Sequence, residues 1–252
     1  METLFIGKNL IFLPAIDSTN SYAINLLKNV KLPEGTVVHT ANQLKGKGQR
    51  GSHWNSEAGM NVTASVILKP VFLDLKNQFY LYQIAALACY DAMAEILDSS
   101  QFDIKIKWPN DILVNRRKIA GILIETTIQN NLLNCCVAGF GINVNQTHFG
   151  DLQKATSLKL LSHKEFLPTD VLKTLCRYVE KYYLALINSN YEEINQNYLK
   201  HFFGLNEFLN FELRGEFKNL MVKGLTNSGL ILLEDNKGKH YEADVKELKW
   251  VY

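Results

Sequence analysis

Apolar residues recur at helical spacing in four segments of the chain. Residues 77–98 are rich in Ala and Leu and lack Gly and Pro, which favours a long helix. The same spacing is found in residues 169–187, and residues 191–203 predict another helix. Near the N-terminus, Asp17-Ser18-Thr19-Asn20 precedes a further helical pattern, and Ser18 or Thr19 is a good candidate for its N-cap.

Short apolar runs and two-residue alternation predict the strands. Residues 36–40 form a short buried strand, and residues 62–68 alternate apolar and polar positions, as a strand with one buried face does. Four more strand-like runs follow the long helix, at 104–108, 112–114, 119–127 and 134–143. Short turns between some of these runs favour antiparallel hairpins. Residues 41–61 are polar and Gly-rich, and they predict a long loop.

The pattern changes after Gly204. Short β-like runs at 208–213, 220–225, 229–234 and 240–245 are joined by turns that contain Gly and Asn. We therefore predict an α+β domain over residues 1–204 and a small antiparallel barrel over residues 205–252.

Composition excludes several classes of protein. Of 252 residues, 47% are hydrophobic, and 27 Lys and Arg against 25 Asp and Glu give a net charge of +2. This balance provides no general attraction to nucleic acid or to acidic membranes. We find neither a secretory signal nor the ~18 consecutive apolar residues that a spanning helix needs. The four cysteines lack metal-ligand spacing and predict reduced core thiols, hence a cytoplasmic protein; they are Cys89, Cys135, Cys136 and Cys176.

A concentration of polar residues beside strand sequence is the first candidate for chemistry. The run Lys107-Trp108-Pro109-Asn110-Asp111 ends one strand, and Lys118 comes just before the next long one. Pro109 interrupts the strand, so the chain turns there. Two interpretations stay open: a ligand-binding wall, or a solvated hairpin with an Asn-Asp turn.

A second candidate is the loop from Gly46 to Trp54. Its three glycines allow close approach of the backbone to a ligand, its basic residues add charge, and Trp54 offers an apolar face. These features would suit the binding of a phosphate with a ring nearby. The alternative interpretation is a flexible, solvated basic loop. Neither the Walker pattern nor the full dinucleotide-binding pattern is present.

Two further segments have a structural and a functional interpretation. The polar groups of Asp17-Ser18-Thr19-Asn20 suit a helix cap, and they also suit recognition of a polar ring. Gly139 and Gly141 lie at alternate strand positions, and they clear one face for a ligand or for a closely packed helix. We assign no catalytic histidine and no metal ligand. A reaction that depends on charge neutralisation and positioning fits this set of residues best.

Five motifs in this order resemble those of the biotin–protein ligases. They are Asp-Ser-Thr-Asn, Gln-x-x-Gly-x-Gly-x-Arg-Gly-x-x-Trp, Lys-Trp-Pro-Asn-Asp, Lys-x-Ala-Gly-Ile-Leu-x-Glu and Gly-x-Gly-Ile-Asn, between Asp17 and Asn145. The resemblance implies an α+β fold, with a central mixed sheet and helices like the core of class II aminoacyl-tRNA synthetases. It also implies an SH3-like barrel at the C-terminus.

The resemblance also implies the reaction. Biotin and Mg-ATP would give biotinyl-5′-AMP and pyrophosphate, and the biotinyl group would pass to a lysine on the biotin carboxyl carrier protein of a biotin-dependent carboxylase. ATP, Mg²⁺ and biotin are thus the expected small molecules. An alternative is a lipoate–protein ligase. The chain lacks the Arg-Arg-x-Ser-Gly-Gly-Gly run that this family would imply, which argues against it. Another alternative is a non-catalytic binding module. The charges of Lys107, Asp111 and Lys118 argue against it, because a pure binder has little use for them.

Site residues follow from the resemblance, motif by motif. The catalytic residues would be Lys107, Asp111 and Lys118. Biotin would contact Ser18, Thr19, Asn20, Gln43, Lys47, Gly48, Gln49, Lys118 and Gly121. ATP and the adenylate would contact Gly46, Lys47, Arg50, Trp54, Asn110, Lys118 and Asn143.

The chain departs from its relatives in the glycine loop. Many family members have Gly-Arg-Gly-Arg-Arg-Gly where this chain has Gly46-Lys47-Gly48-Gln49-Arg50-Gly51. Lys47 keeps the charge but lacks the guanidinium fork, and Gln49 replaces a charge. About 16 residues precede Asp17, so we expect no DNA-binding domain and no DNA partner; a monomer and a homodimer both stay open.

Overall fold

The computed structural model describes residues 2–98, 100–130, 132–150, 152 and 154–251, without the side chain of Arg50. Its main element is a seven-stranded mixed sheet. The strands up to residue 142 are β1 (Leu10–Ile16), β2 (Val37–Gln43), β3 (Gly46–Lys47), β4 (His53–Trp54), β5 (Val62–Leu68), β6 (Ile104–Lys107), β7 (Asp111–Val114), β8 (Arg117–Gln129) and β9 (Leu132–Ile142). The order across the main sheet is β1-β2-β5-β9-β8-β7-β6, with β1 and β2 parallel and all other neighbours antiparallel.

The described residues form five α-helices beside the sheet. They are α1 (Thr19–Asn29), α2 (Phe79–Leu97), α3 (Leu158–Ser162), α4 (Pro168–Ile187) and α5 (Tyr191–Lys200). The predicted cap of α1 is confirmed, because the Ser18 hydroxyl accepts a hydrogen bond from the Ser21 amide at 3.4 Å. The long predicted helix is confirmed as α2. None of the helices in the described residues is long and apolar enough to cross a membrane.

The two faces of the sheet are covered differently. The large core lies on the face that packs against α2 and α4. On the opposite face, α1 buries a small cluster that includes Ala23, Val38 and Ile67. The prediction that residues 62–68 have one exposed face is therefore wrong: every residue of β5 is buried, Thr63 and Ser65 included.

The strand that sequence reasoning overlooked, β1, lies at the edge of the sheet. Pro14 interrupts its apolar pattern, and an edge strand tolerates proline because one side of its backbone needs no ladder partner. The segment 41–61 is largely a loop, as predicted. It also contains the β3–β4 hairpin and a short 3-10 helix, Gln49–Gly51.

A second, five-stranded antiparallel sheet follows residue 207, as the sequence predicts. Its strands are β10 (Phe208–Leu213), β11 (Glu216–Leu225), β12 (Ile231–Glu234), β13 (His240–Ala243) and β14 (Leu248–Val251), in the order β13-β12-β11-β10-β14. The expected α+β fold with a small β-domain at its C-terminal end is confirmed. The exact division between residues 204 and 205 stays a prediction.

The four cysteines are free and buried, which confirms their role as core thiols. Burial raises the pKa of Cys89, Cys136 and Cys176 to about 12. Thiols with such pKa values are protonated at neutral pH, so they are poor nucleophiles and poor metal ligands.

Candidate active site

A cavity of about 300 Å³ opens on the α1 side of the main sheet. Its floor is formed by β8 and β9, the glycine loop closes one side, and the C-terminal sheet closes another. Most of the residues predicted from the sequence line this cavity: Ser18, Thr19, Asn20, Gln43, Lys47, Gly48, Gln49, Trp54, Lys107, Asn110, Asp111, Lys118 and Gly121. The fold thus brings together segments that are up to about a hundred residues apart in sequence.

One carboxylate lies between two ammonium groups at the charged end of the cavity. The Lys118 Nζ is 2.6 Å from Asp111 Oδ1, and the Lys107 Nζ is 3.9 Å from Asp111 Oδ2. Lys107 and Asp111 are cross-strand partners in the β6–β7 hairpin, which is why they face each other. The three groups carry a net charge of +1, so this end of the cavity suits an anion.

An irregularity in the strand pairing positions Lys118. The register between β7 and β8 shifts between Ile112 and Leu113, which pair with Ala120 and Lys118. Such a bulge re-aims the side chain next to it. Lys118 consequently reaches Asp111 although the two residues belong to different registered pairs.

Trp54 covers the floor of the cavity. Its ring lies over Gly141 and Gly121, which are paired across β8 and β9, and a Cβ at Gly141 would overlap it. The Lys118 Nζ is 5.6 Å from the centroid of the same ring. The glycines therefore clear the floor for a flat group, and in this structure the Trp54 indole lies there.

Neutral polar groups form the opposite end. The Gln43 Oε1 accepts from the Thr19 amide at 3.0 Å and from the Thr19 hydroxyl at 3.3 Å. Ser65, on the buried strand β5, has its hydroxyl oxygen 2.8 Å from that of Thr19. Ser18, Thr19 and Gln43 thus provide hydrogen-bonding groups without a formal charge. Such groups suit the binding of an uncharged polar ring.

Asn20 lies beside this group, and both ends of its amide hydrogen-bond to the protein. The Nδ2 donates to Glu125 Oε2 at 2.8 Å and to the Leu123 carbonyl at 3.3 Å, and Oδ1 accepts from Ser65. The carboxamide occupies the space that a Cβ at Gly139 would need. Asn20 therefore shapes the cavity wall, and its predicted contact with biotin stays a prediction.

The glycine loop forms a short hairpin over the cavity. The Gly48 amide donates to the Ser52 carbonyl at 2.7 Å, and the Ser52 amide donates to the Gln49 carbonyl at 3.1 Å. Lys47 is exposed at the rim and Gln49 is half-buried. The side chain of Arg50 lies outside the described part of the chain.

Three predicted residues have mainly structural contacts here. The Asn110 Nδ2 donates to the Ile122 carbonyl, which fixes the turn after β6. Asn143 is buried and donates to the Thr156 carbonyl at 2.9 Å, and neither Asn143 nor Gly46 lines the cavity. Their predicted contacts with the adenylate stay predictions.

Sequence reasoning missed several residues that build the site. Ser65 and Glu125 support Thr19 and Asn20, and the polar position of Ser65 in an apolar strand was a signal for the first of them. The C-terminal domain contributes lining residues that no motif marked: Val245, Leu248, Lys249 and Trp250. The described residues contain no group of three or more His, Cys, Asp or Glu that could hold a metal ion.

Comparison with known proteins gives the same answer from sequence and from structure. Residues 12–143 match the model of the biotin/lipoate A/B protein ligase family. The bifunctional ligase/repressor BirA of Bacillus subtilis is 31% identical over 253 residues, which cover 98% of this chain and 76% of that protein. A biotin–[acetyl-CoA-carboxylase] ligase of Paracoccus denitrificans is 35% identical over 128 residues, 51% of each chain.

A solved structure extends this similarity to the whole fold. The biotin protein ligase of Aquifex aeolicus, in complex with biotin and ATP, superposes with a TM-score of 0.78 at 26% identity, over 96% of this chain and 98% of that one. With the motifs gathered in one cavity and the family model covering more than half of the chain, the protein belongs to the biotin/lipoate A/B protein ligase family.

Proposed function

We propose that this enzyme, a biotin–protein ligase, uses the cavity described above for both of its steps. In the first step, a carboxylate oxygen of biotin bonds to the α-phosphorus of ATP, and pyrophosphate leaves. In the second, the amine of a carrier lysine bonds to the acyl carbon, AMP leaves and one proton is released. The observation that carries the proposal is a cavity with a neutral polar end and a Lys107–Asp111–Lys118 end.

The neutral end fits the ureido ring of biotin. That ring has one carbonyl acceptor and two N–H donors, and Thr19, Gln43 and Ser18 offer complementary groups. Ser18 and Thr19 are buried, and this environment strengthens their hydrogen bonds relative to water. A lipoyl group lacks the ureido ring, so it would cover these polar groups without hydrogen bonding to them, which costs affinity.

The charged end fits the reacting groups. A carboxylate that approaches a phosphate meets repulsion between two anions, and Lys118 and Lys107 supply positive charge at that point. Lys47 at the rim adds a third cation over the same cavity. These residues act by positioning and by charge, which lower the barrier without a covalent intermediate on the protein.

Asp111 has two proposed roles. Its carboxylate holds Lys118 in place at 2.6 Å, so it sets the position of the cation in the first step. In the second step the same carboxylate orients the incoming amine or accepts its proton. The Asp111 side chain is only 18% exposed, so solvent screens its charge less than at the surface.

Mg²⁺ is proposed to arrive bound to ATP. The described residues provide no cluster of metal ligands, and the Asp111 carboxylate in the cavity is already paired with two ammonium groups. Mg²⁺ commonly retains waters and binds mainly through substrate phosphates, so under this proposal ATP carries it into the cavity.

The macromolecular partner is proposed to be a biotin carrier domain, and more specifically that of a biotin-dependent carboxylase. The name of the Paracoccus denitrificans relative, a biotin–[acetyl-CoA-carboxylase] ligase, supports a carboxylase as the source of the carrier domain. The four buried free thiols support a reducing compartment, so we expect the enzyme in the cytoplasm.

The test measures pyrophosphate release by the full chain with ATP and either biotin or lipoate. Release with biotin, followed by transfer of biotin to a carrier domain, supports the proposal. Release with lipoate and none with biotin would replace it by the lipoate alternative, and binding of biotin without any release would replace it by a binding module.

A further inference from the structure

The C-terminal sheet places an aromatic ring beside the reacting charges. The Lys107 Nζ is 5.9 Å from the centroid of the Trp250 ring, and Trp250 belongs to β14, next to the end of the chain. The other lysine of the charged end has a matching neighbour, because Lys118 lies 5.6 Å from Trp54. Each cation that flanks Asp111 is therefore within cation–π range of a tryptophan from a different part of the fold.

Packing fixes the position of the Trp250 ring. Its centroid is 4.8 Å from that of Phe211, its partner in the β10–β14 pair, and 5.7 Å from that of Phe203. Phe211 is fully buried. The indole nitrogen has no hydrogen-bond partner among the described residues, so aromatic contacts rather than a hydrogen bond hold the ring.

The arrangement constrains a flexible side chain. Lysine has a long stem with several rotatable bonds, and its 3.9 Å distance to Asp111 is a weak restraint by itself. The Lys107 side chain is only 19% exposed, so the ring also excludes water from one side of the ammonium group. A cation–π contact gains strength where the cation is partly desolvated.

We propose that Trp250 is a positioning residue for Lys107, through which the C-terminal domain takes part in adenylate formation. This inference rests on the proposed function, since it concerns the step in which biotin is activated. Trp250 holds the ammonium group of Lys107 next to Asp111, where it faces the phosphate charge. The C-terminal domain thereby completes the charged end of a cavity that the main sheet begins.

The experiment compares Trp250→Met with Trp250→Phe in the full chain. Methionine is apolar and close in size to phenylalanine but has no aromatic face, whereas phenylalanine retains the face. We expect Trp250→Met to lower the rate of biotin-dependent pyrophosphate release about tenfold. The KM for biotin should stay unchanged, because the neutral end is untouched, and Trp250→Phe should recover most of the rate.

A double-mutant cycle with Lys107→Met separates positioning from a general structural effect. If Trp250 acts through Lys107, the double variant is no slower than Lys107→Met alone, whereas losses that multiply would overturn the proposal. Tyr241→Met is the matched control, since Tyr241 lies on β13 with Lys239 5.2 Å from its ring and does not line the cavity. An equal loss in this control would also overturn it.

A further variant covers the case in which Trp250→Met does not fold. A fluorinated tryptophan at position 250 keeps the shape of the ring and weakens its negative face, so a slower release is expected and an unchanged rate contradicts the inference. A wild-type chain that releases no pyrophosphate with biotin would instead contradict the proposed function.

Discussion

Asp111 shares its negative charge between two ammonium groups, one at 2.6 Å and one at 3.9 Å. The closer group, Lys118, is 37% exposed, and ion pairs with that much access to solvent contribute little to stability. The same group lies where charge accumulates during the proposed reaction, and preorganised charge in a partly dry site has a large effect on rate. We therefore expect Lys118 to contribute little to stability and much to the rate of the reaction.

We expect Lys118→Ala to reduce pyrophosphate release by roughly 100-fold or more, because a donor aimed at developing charge is lost. The free energy of unfolding should fall by less than about 1 kcal/mol, as for other exposed pairs. Lys45→Ala is the control, since it removes an exposed pair with Asp17 at 2.9 Å outside the cavity. Normal turnover by Lys118→Ala would contradict the assignment.

The neutral end of the cavity is formed in part by α1, and the glycine loop covers the cavity. The N-cap of α1, Ser18, also lines the cavity, so one residue both stabilises the helix and faces the cavity. The glycine loop between β2 and β5 forms its own short hairpin, which is held mostly by backbone hydrogen bonds. Such a loop can order over a ligand and exclude water from a reactive intermediate.

Ser18→Ala should lower both the stability and the affinity for biotin. Loss of the cap costs about 0.5–1 kcal/mol, near the low end of the range because the bond is 3.4 Å long. The control is Ser157→Ala, which removes the cap of α3, a bond of 3.2 Å, away from the cavity. Thermal unfolding and calorimetry with biotin measure the two effects. Equal biotin affinity in both variants would exclude Ser18 from the ligand site.

Gln49→Arg should slow the release of biotinyl-5′-AMP, because a guanidinium is added where relatives have a charge. We expect an off-rate that is roughly tenfold lower, as for one charge-assisted hydrogen bond. Gln196→Arg adds the same charge on the exposed face of α5 and should leave the off-rate unaltered. If Gln49→Arg releases the adenylate as fast as the wild type, position 49 does not contact it.

The whole molecule depends on contacts between its two sheets. Trp108, in the middle of the polar motif, is buried, and its indole nitrogen donates to the Gly229 carbonyl at 3.0 Å. Gly229 also lies against the Phe79 ring of α2, closer than any Cβ would allow. The motif that lines the cavity on one side therefore contacts the C-terminal domain on the other.

Trp108→Phe should destabilise the protein by about 2–3 kcal/mol, since a buried carbonyl loses its donor and a smaller ring leaves a void. The control is Tyr241→Phe, which removes a hydrogen bond to Asp235 within the C-terminal domain. We expect this variant to be destabilised by less than about 0.5 kcal/mol. Denaturant unfolding followed by circular dichroism compares the two. A Trp108→Phe variant as stable as the wild type would show that this contact does not hold the sheets together.

The sequence by itself determined the main helices, most strands, the change of texture after Gly204 and the motifs of the family. These follow from local periodicity, capping and turn residues, which act over a few positions. It did not reveal β1, where Pro14 breaks the pattern, or the buried second face of β5, because burial depends on what packs there.

Only the tertiary structure decided how the motifs meet. The sequence did not show that Ser65, Leu123 and Glu125 hydrogen-bond to the Asn20 amide. The bulge that turns Lys118 toward Asp111 and the approach of Trp250 to Lys107 depend on strand pairing and on contacts between residues far apart in the chain. Local sequence does not encode such distances, because they arise when the two sheets pack together.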